Sequence, residues 1–197
     1  MKILRDGREI FLEGTSEHPS EIVNDFLVRI HDCLKSGYND IILNFEDVKG
    51  EFSTFMLPII AICDWLRAND GKIDIRLPRK SEIKKLFFNA GWAHLLVPNR
   101  YNPNEIKVSH FNARRFTTAN EQHISIRDML QILIASDHGK ISDDILRALE
   151  WSLSEITDNV LVHAESSLGG LVQMAILPEE IIFTVCDIGR GILPAAR

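Results

Sequence analysis

The sequence predicts an α/β fold of the α+β kind, arranged as two domains, and three features carry that expectation. Strand-like and helix-like segments alternate through residues 1–98. The turn formers Pro98-Asn99-Arg100-Tyr101-Asn102-Pro103-Asn104 then break the periodicity. Beyond them, two helical stretches precede a pair of apolar strands. A chain of 197 residues suffices for one large domain or two small ones. The break favours two, 1–98 and 121–197, with 99–120 as a connecting segment.

The first domain opens on a hairpin. Lys2 to Leu4 and Glu9 to Leu12 flank Asp6-Gly7, a dipeptide suited to a type I′ turn, whose two central residues need positive φ. From Pro19 to Lys35 the apolar residues Ile22, Val23, Phe26, Leu27, Ile30, Cys33 and Leu34 recur at helical spacing, with Gly37 placed to cap the end. Ile41 to Phe45 is a short apolar run suited to a buried strand, and Ile73, Ile75 and Leu77 alternate with charged residues as in a strand covered on one side. Between them Leu57 to Ala68 reads as a helix with Pro58 in its first turn, where a missing N–H is harmless. Ser81 to Asn89 is a third helix, ending near Gly91. Strands and helices in this order imply a mixed sheet with helices packed on it.

The run Ile41 to Leu57, the Ile73 strand and the segment Leu86-Phe87-Phe88-Asn89-Ala90-Gly91-Trp92-Ala93-His94-Leu95-Leu96 together resemble a STAS domain, the fold of anti-sigma-factor antagonists. In that family the loop before the second helix carries an acid, hydroxyl residues and a glycine, and a hydroxyl there accepts phosphate from a partner kinase. This chain has Glu51-Phe52-Ser53-Thr54-Phe55. Ser53 and Thr54 match the phosphoacceptor positions, while Phe52 replaces the acid and Phe55 the glycine. The other reading of Ser53 and Thr54 is a cap or turn before the helix at Leu57.

In the second domain, Ile106 to Phe111 reads as a connecting strand. Ile124 to Ile134, with Ile126, Met129, Leu130 and Leu133, reads as a helix ending near Gly139. Ser142 followed by Asp143 and Asp144 marks the next start, since the hydroxyl can cap and the carboxylates suit the positive end of the helix. Leu146, Leu149, Leu153, Ile156 and Val160 form the apolar stripe of this helix. Glu155, Asn159 and His163, at i, i+4 and i+8, form a polar row about 60 to 100° around from the stripe, at the margin of the core rather than in open solvent. Such a row can contact a metal-bound polyphosphate, the carboxamide giving Mg²⁺ a neutral oxygen, or it can be a solvated face. Gly169-Gly170 then opens the strands Leu171 to Leu177 and Ile181 to Cys186, turned at Pro178-Glu179-Glu180. Asp187-Ile188-Gly189-Arg190-Gly191-Ile192 follows. Asp187 at a strand end can accept from an exocyclic amine such as that of adenine, with the glycines allowing close backbone approach, or it can close an Asx turn.

The order Glu155-x3-Asn159-x3-His163, glycine-led hairpin, Asp187-x-Gly189-x-Gly191 resembles the GHKL ATP-binding domain shared by DNA gyrase, a heat-shock chaperone family, histidine kinases and MutL. Residues 155–164, Glu-Ile-Thr-Asp-Asn-Val-Leu-Val-His-Ala, are most similar to the anti-sigma-factor serine kinases of that superfamily. The resemblance spans roughly residues 141–194 and implies a partial GHKL α/β sandwich. It implies ATP and Mg²⁺ as ligands, Asn159 as the Mg²⁺ ligand, and Glu155 as the residue that orients or activates the attacking group. Asp187 would take the adenine amine, Gly189 and Gly191 would shape the pocket, and His163 would lie near the phosphates. The family's lid and second glycine box would follow Arg197. A shortened chain, binding nucleotide weakly on its own, is therefore expected, a degenerate member being the alternative.

Composition bounds the function. Twenty-two basic and 28 acidic side chains give a net charge of -6, and 45% hydrophobic with 25% charged residues is ordinary for a globular protein. The residues before 101 hold 14 basic and 15 acidic side chains, and those from 101 onward hold 8 and 13. Neither half has the clustered Lys and Arg that nucleic acid or an anionic membrane demands; Arg79-Lys80 with Lys84-Lys85 is one solvated helix face. Cys33, Cys63 and Cys186 suit neither a disulfide framework nor a zinc site, and no signal peptide or membrane-length apolar run occurs, so a cytoplasmic protein is expected. His31, His94, His110 and His138 lack metal-ligand spacing, and His123 reads as exposed or capping. Trp65, Trp92 and Trp151 read as packing residues and Cys186 as a small buried hydrophobe.

The resulting expectation is an ATP-binding regulatory protein of anti-sigma-factor serine/threonine kinase type, with the STAS-like domain engaging a partner. A clamp-type ATP hydrolase with Glu155 as general base, and a non-catalytic nucleotide sensor that switches partners, are the alternatives. Expected partners are a regulatory protein of STAS or sigma-factor kind and a second copy of the chain.

Overall fold

The computed structural model describes residues 2–13, 19–49, 53–102, 111–136, 141–163, 167–177, 180–187 and 189; the side chains of 19, 53, 54, 111 and 112 are outside the description. The fold is mixed α and β, with two sheets and, among the described residues, six helices. The chain divides into two compact units, Met1–Lys107 and Val108–Arg197.

The first unit contains β1 (Lys2–Asp6), β2 (Glu9–Glu13), α1 (Pro19–Lys35), β3 (Asp40–Asn44), α2 (Ser53–Ala68), β4 (Lys72–Arg76), α3 (Ser81–Asn89) and α4 (Trp92–Leu96). Its sheet runs β1-β2-β3-β4, antiparallel at β1–β2 and parallel thereafter. Two crossovers stepping in the same direction put both helices on one face, and α1 packs against α2. The inward residues of alternating pleats, Ile10, Leu12, Ile41, Leu43 and Ile75, are buried there. Phe87 ties α3 to this core through edge-on contacts with Phe45 and Trp92, at centroid distances of 4.9 and 5.5 Å.

Three local expectations change. Asp6 pairs with Glu9, so the hairpin loop is Gly7-Arg8, and of these only Gly7 has positive φ, at 56°. This is the glycine-first two-residue turn rather than type I′. Helix α2 starts at Ser53, so Pro58 is its sixth residue and has no N–H to give the Thr54 carbonyl. Burial outweighs that loss: Phe55, Met56, Leu57, Ile59, Ile60 and Cys63 are all within the core. Ser53 and Thr54 therefore belong to the first helical turn and do not precede a helix at Leu57. Trp65 is exposed, so of the first unit's two tryptophans only Trp92 is a core residue.

The second unit contains β5 (Phe111–Phe116), α5 (Ala119–Ala135), α6 (Asp143–His163), β6 (Gly170–Ile176) and β7 (Ile181–Asp187). Its sheet is antiparallel in the order β5-β6-β7. Central β6 is buried along its whole length, and α5 and α6 pack against it. The expected connecting strand at Ile106 lies outside the described residues apart from Phe111. Residues 111–116, expected within the connecting segment, instead form the edge strand of this sheet. Helix α5 begins five residues before Ile124 because Thr118 and Glu121 form a capping box. Thr118 Oγ1 accepts from the Glu121 amide at 3.2 Å, and the Glu121 carboxylate accepts from the Thr117 amide at 2.7 Å. These hydrogen bonds hold the Glu121 carboxyl below its ordinary range. His123 is thus an exposed residue inside the helix, not a cap.

Candidate functional site

Helix α6 carries the first set of predicted site residues. Its buried face is Leu153, Thr157 and Val160, with Leu146, Leu149 and Leu161 partly covered, while Ile156 is 50% exposed. Thr157 rather than Ile156 completes the stripe, because its hydroxyl donates to the Leu153 carbonyl one turn back at 2.7 Å and so enters the core without an unmet polar atom. The buried face turns away from the polar row. Glu155, Asn159 and His163 are all exposed, further from the core than the core-margin position the sequence predicts. Trp151, at 66% exposure, shares that outward side and is not a packing residue.

Asp187, the second predicted element, ends β7 and pairs in register with Gly170 at the start of β6. A Cβ added at Gly170 would stand 2.7 Å from Val160 Cγ1 and 2.6 Å from Phe116 Cζ, so only a glycine lets α6 settle this close to the sheet. Gly169, with φ at 67°, is equally constrained, since a side chain there would overlap the Phe116 carbonyl. Asn159 follows directly before Val160 in the chain. Asp187 is one inter-strand spacing, about 5 Å, from Gly170. The C-terminal half of α6 and the end of β7 therefore meet at one corner of the unit. Glu155 and His163 are each one helical turn from Asn159, about 6 Å along the axis.

The exposed Asp187 carboxylate accepts the Gly189 amide through Oδ1 at 2.6 Å, the Asx-type turn that was one of its two readings. Among the described residues Oδ2 has no partner. Beside it, burial pushes the Cys186 thiol up to about 11, with the Asp187 charge adding to the effect. Cys186 is therefore a protonated, half-buried packing group at neutral pH. Gly191, and the turn at Pro178-Glu179, lie outside the described residues, as do the side chains of Ser53 and Thr54.

The donor chemistry fits a magnesium ion carried by a polyphosphate. Asn159 offers a neutral oxygen and Glu155 a carboxylate, and Mg²⁺ is ordinarily held by one or two protein oxygens together with waters and substrate phosphates. Among the described residues no group of three His, Cys, Asp or Glu side chains is placed to hold a metal by itself. A separate groove of about 300 Å³ lies between α5 and the first half of α6, lined by residues including Arg127, Leu130, Ile134, Leu146 and Arg147; none of the predicted site residues lines it.

Sequence reasoning missed Gln122. This side chain is only 5% exposed, and its Nε2 donates to Thr157 Oγ1 at 2.7 Å, to Asp158 Oδ1 at 2.8 Å and, more weakly, to the Ser154 carbonyl at 3.3 Å. The signal was present in Thr118-x-x-Glu121, which moves the helix start ahead of Gln122 and puts it on the same face as Ser125, Ile126 and Met129.

Comparison with known proteins leaves the assignment to this geometry: no family model, characterised protein or solved structure matches the chain.

Proposed function

We propose that the protein is an ATP-binding regulator of the anti-sigma-factor serine/threonine kinase kind. In this reading the second unit holds Mg-ATP, and the first, STAS-like in pattern, engages a regulatory protein. The observation that supports it is the Gly170 junction, which brings the Asn159 turn of α6 and the Asp187 end of β7 to one corner. Two elements far apart in sequence thereby offer complementary chemistry: oxygens for a metal and its phosphates on the helix, and a carboxylate acceptor for an amine on the strand.

Asn159 would hold Mg²⁺, Asp187 would accept from the adenine amine, and Gly189 would let the backbone lie close to the base. His163, one turn beyond Asn159, would lie by the phosphates. Glu155 would orient or deprotonate the attacking hydroxyl; as an exposed carboxylate it is accessible to another protein. Bound Mg-ATP would supply the transferable phosphoryl group, and the contribution of the chain is positioning and charge placement.

The test is the fate of labelled γ-phosphate when the full-length protein meets Mg-ATP and its partner. Label on a protein hydroxyl supports the kinase reading. Free phosphate would replace it with a hydrolase in which Glu155 activates water, and retention of intact ATP would replace it with a nucleotide sensor.

A further inference from the structure

We propose that Gln122 is a positioning residue for the metal-binding turn of α6. The inference rests on the reading of Asn159 as a magnesium ligand and adds to it the residue on a second helix that aims it. The Gln122 amide reaches across from α5 and binds three groups in one turn of α6: the Thr157 hydroxyl, the Asp158 carboxylate and the Ser154 carbonyl. The last two only accept, so the orientation of the amide is fixed with nitrogen toward α6. The Thr157 hydroxyl in turn donates to Leu153 and is fully buried. The two amide hydrogens serve the Thr157 hydroxyl and the Asp158 carboxylate at 2.7 and 2.8 Å, with the Ser154 carbonyl in longer contact at 3.3 Å, and directional bonds of this kind favour one arrangement. That arrangement clamps α6 against rotation about its axis at residues 154–158.

Glu155 lies within that turn and Asn159 directly follows it, both on the exposed side of α6. Rotating a helix moves an outward side chain sideways by an amount that grows with its distance from the axis, so a slack α6 would scatter the Asn159 oxygen. The apolar contacts of Leu153 and Val160 resist tilting but permit small rotations, because dispersion contacts are not directional. Directional hydrogen bonds supply what those contacts lack. Asp158, exposed and outside the polar row, is thus the anchor on α6 for Gln122.

The test compares wild type, Gln122→Met and Asp158→Asn in the full-length protein, at a temperature where each gives the wild-type far-UV circular dichroism spectrum. Nucleotide affinity is measured with Mg²⁺ and again with excess EDTA. Gln122→Met keeps the side-chain length and removes the donors. It is expected to lose about tenfold in Mg-ATP affinity, the lower range for an outer-shell partner of a metal ligand, while binding of metal-free ATP, which depends on Asp187, is unchanged. Asp158→Asn retains an oxygen that accepts from Gln122 and is expected to bind like wild type. Equal losses with and without Mg²⁺ would reduce Gln122 to a general structural residue, and undiminished Mg-ATP affinity would overturn the proposal outright. Absence of binding by wild type itself would instead remove the underlying site assignment. Should Gln122→Met fail to fold, Thr157→Val carries the same expectation by removing the central acceptor.

Discussion

Cys63 lies fully inside α2, and burial pushes its thiol from 9.0 up to about 12. In the unfolded chain the same thiol ionises near its ordinary value. Stability from keeping it neutral is therefore complete below pH 9.0 and is lost as pH rises toward about 12, at about 1 kcal/mol per pH unit. Urea midpoints between pH 8 and 10 are expected to fall less steeply for Cys63→Ala than for wild type; identical slopes would show that Cys63 does not ionise on unfolding. At the start of α5, Thr118→Ala removes the acceptor for the Glu121 amide and is expected to cost about 1 kcal/mol in chemical denaturation. Residue-level features of this kind differ in how far a sequence exposes them. Thr118 and Glu121 have a spacing that names their role and puts Gln122 on the inner face of α5, whereas nothing in the local sequence says what Gln122 binds there, because its acceptors are more than thirty positions away.

At the scale of elements, periodicity located α1, β3, β4, α3, α6, β6 and β7 to within a few residues, since each has one clear apolar face or a short apolar run. It failed where tertiary pairing overrode local pattern. Strand β5 carries Arg114 and Arg115 in its middle and reads as polar, yet β6 pairs with it along its length. Helix α2 retains Pro58 because the core on both sides holds it in place. The row Glu155, Asn159 and His163 was legible as a row, but its direction depended on whether Ile156 or Thr157 faced the core, which only the packing decides. The junction of β6 with α6 gives a direct check: Gly170→Ala places a methyl group against Phe116 and Val160 and is expected to destabilise the protein by about 1–3 kcal/mol. A Tm unchanged by this substitution would mean that α6 is not held against the sheet as described.

At the scale of the molecule, two compact units with separate sheets and cores lead to an expectation of two unfolding transitions in calorimetry. Gly170→Ala should lower one of them and leave the other in place; a single transition that moves as a whole would contradict independent units. No helix among the described residues is long and apolar enough to cross a membrane. The central claim is that α6 and β7 together form one nucleotide site, and a calorimetric titration of Mg-ATP into the full-length protein tests it most directly. Wild type is expected to bind, and Asn159→Ala and Asp187→Asn are each expected to abolish the binding heat, one through the metal and the other through the base. Isotherms indistinguishable from wild type in both variants would contradict the account.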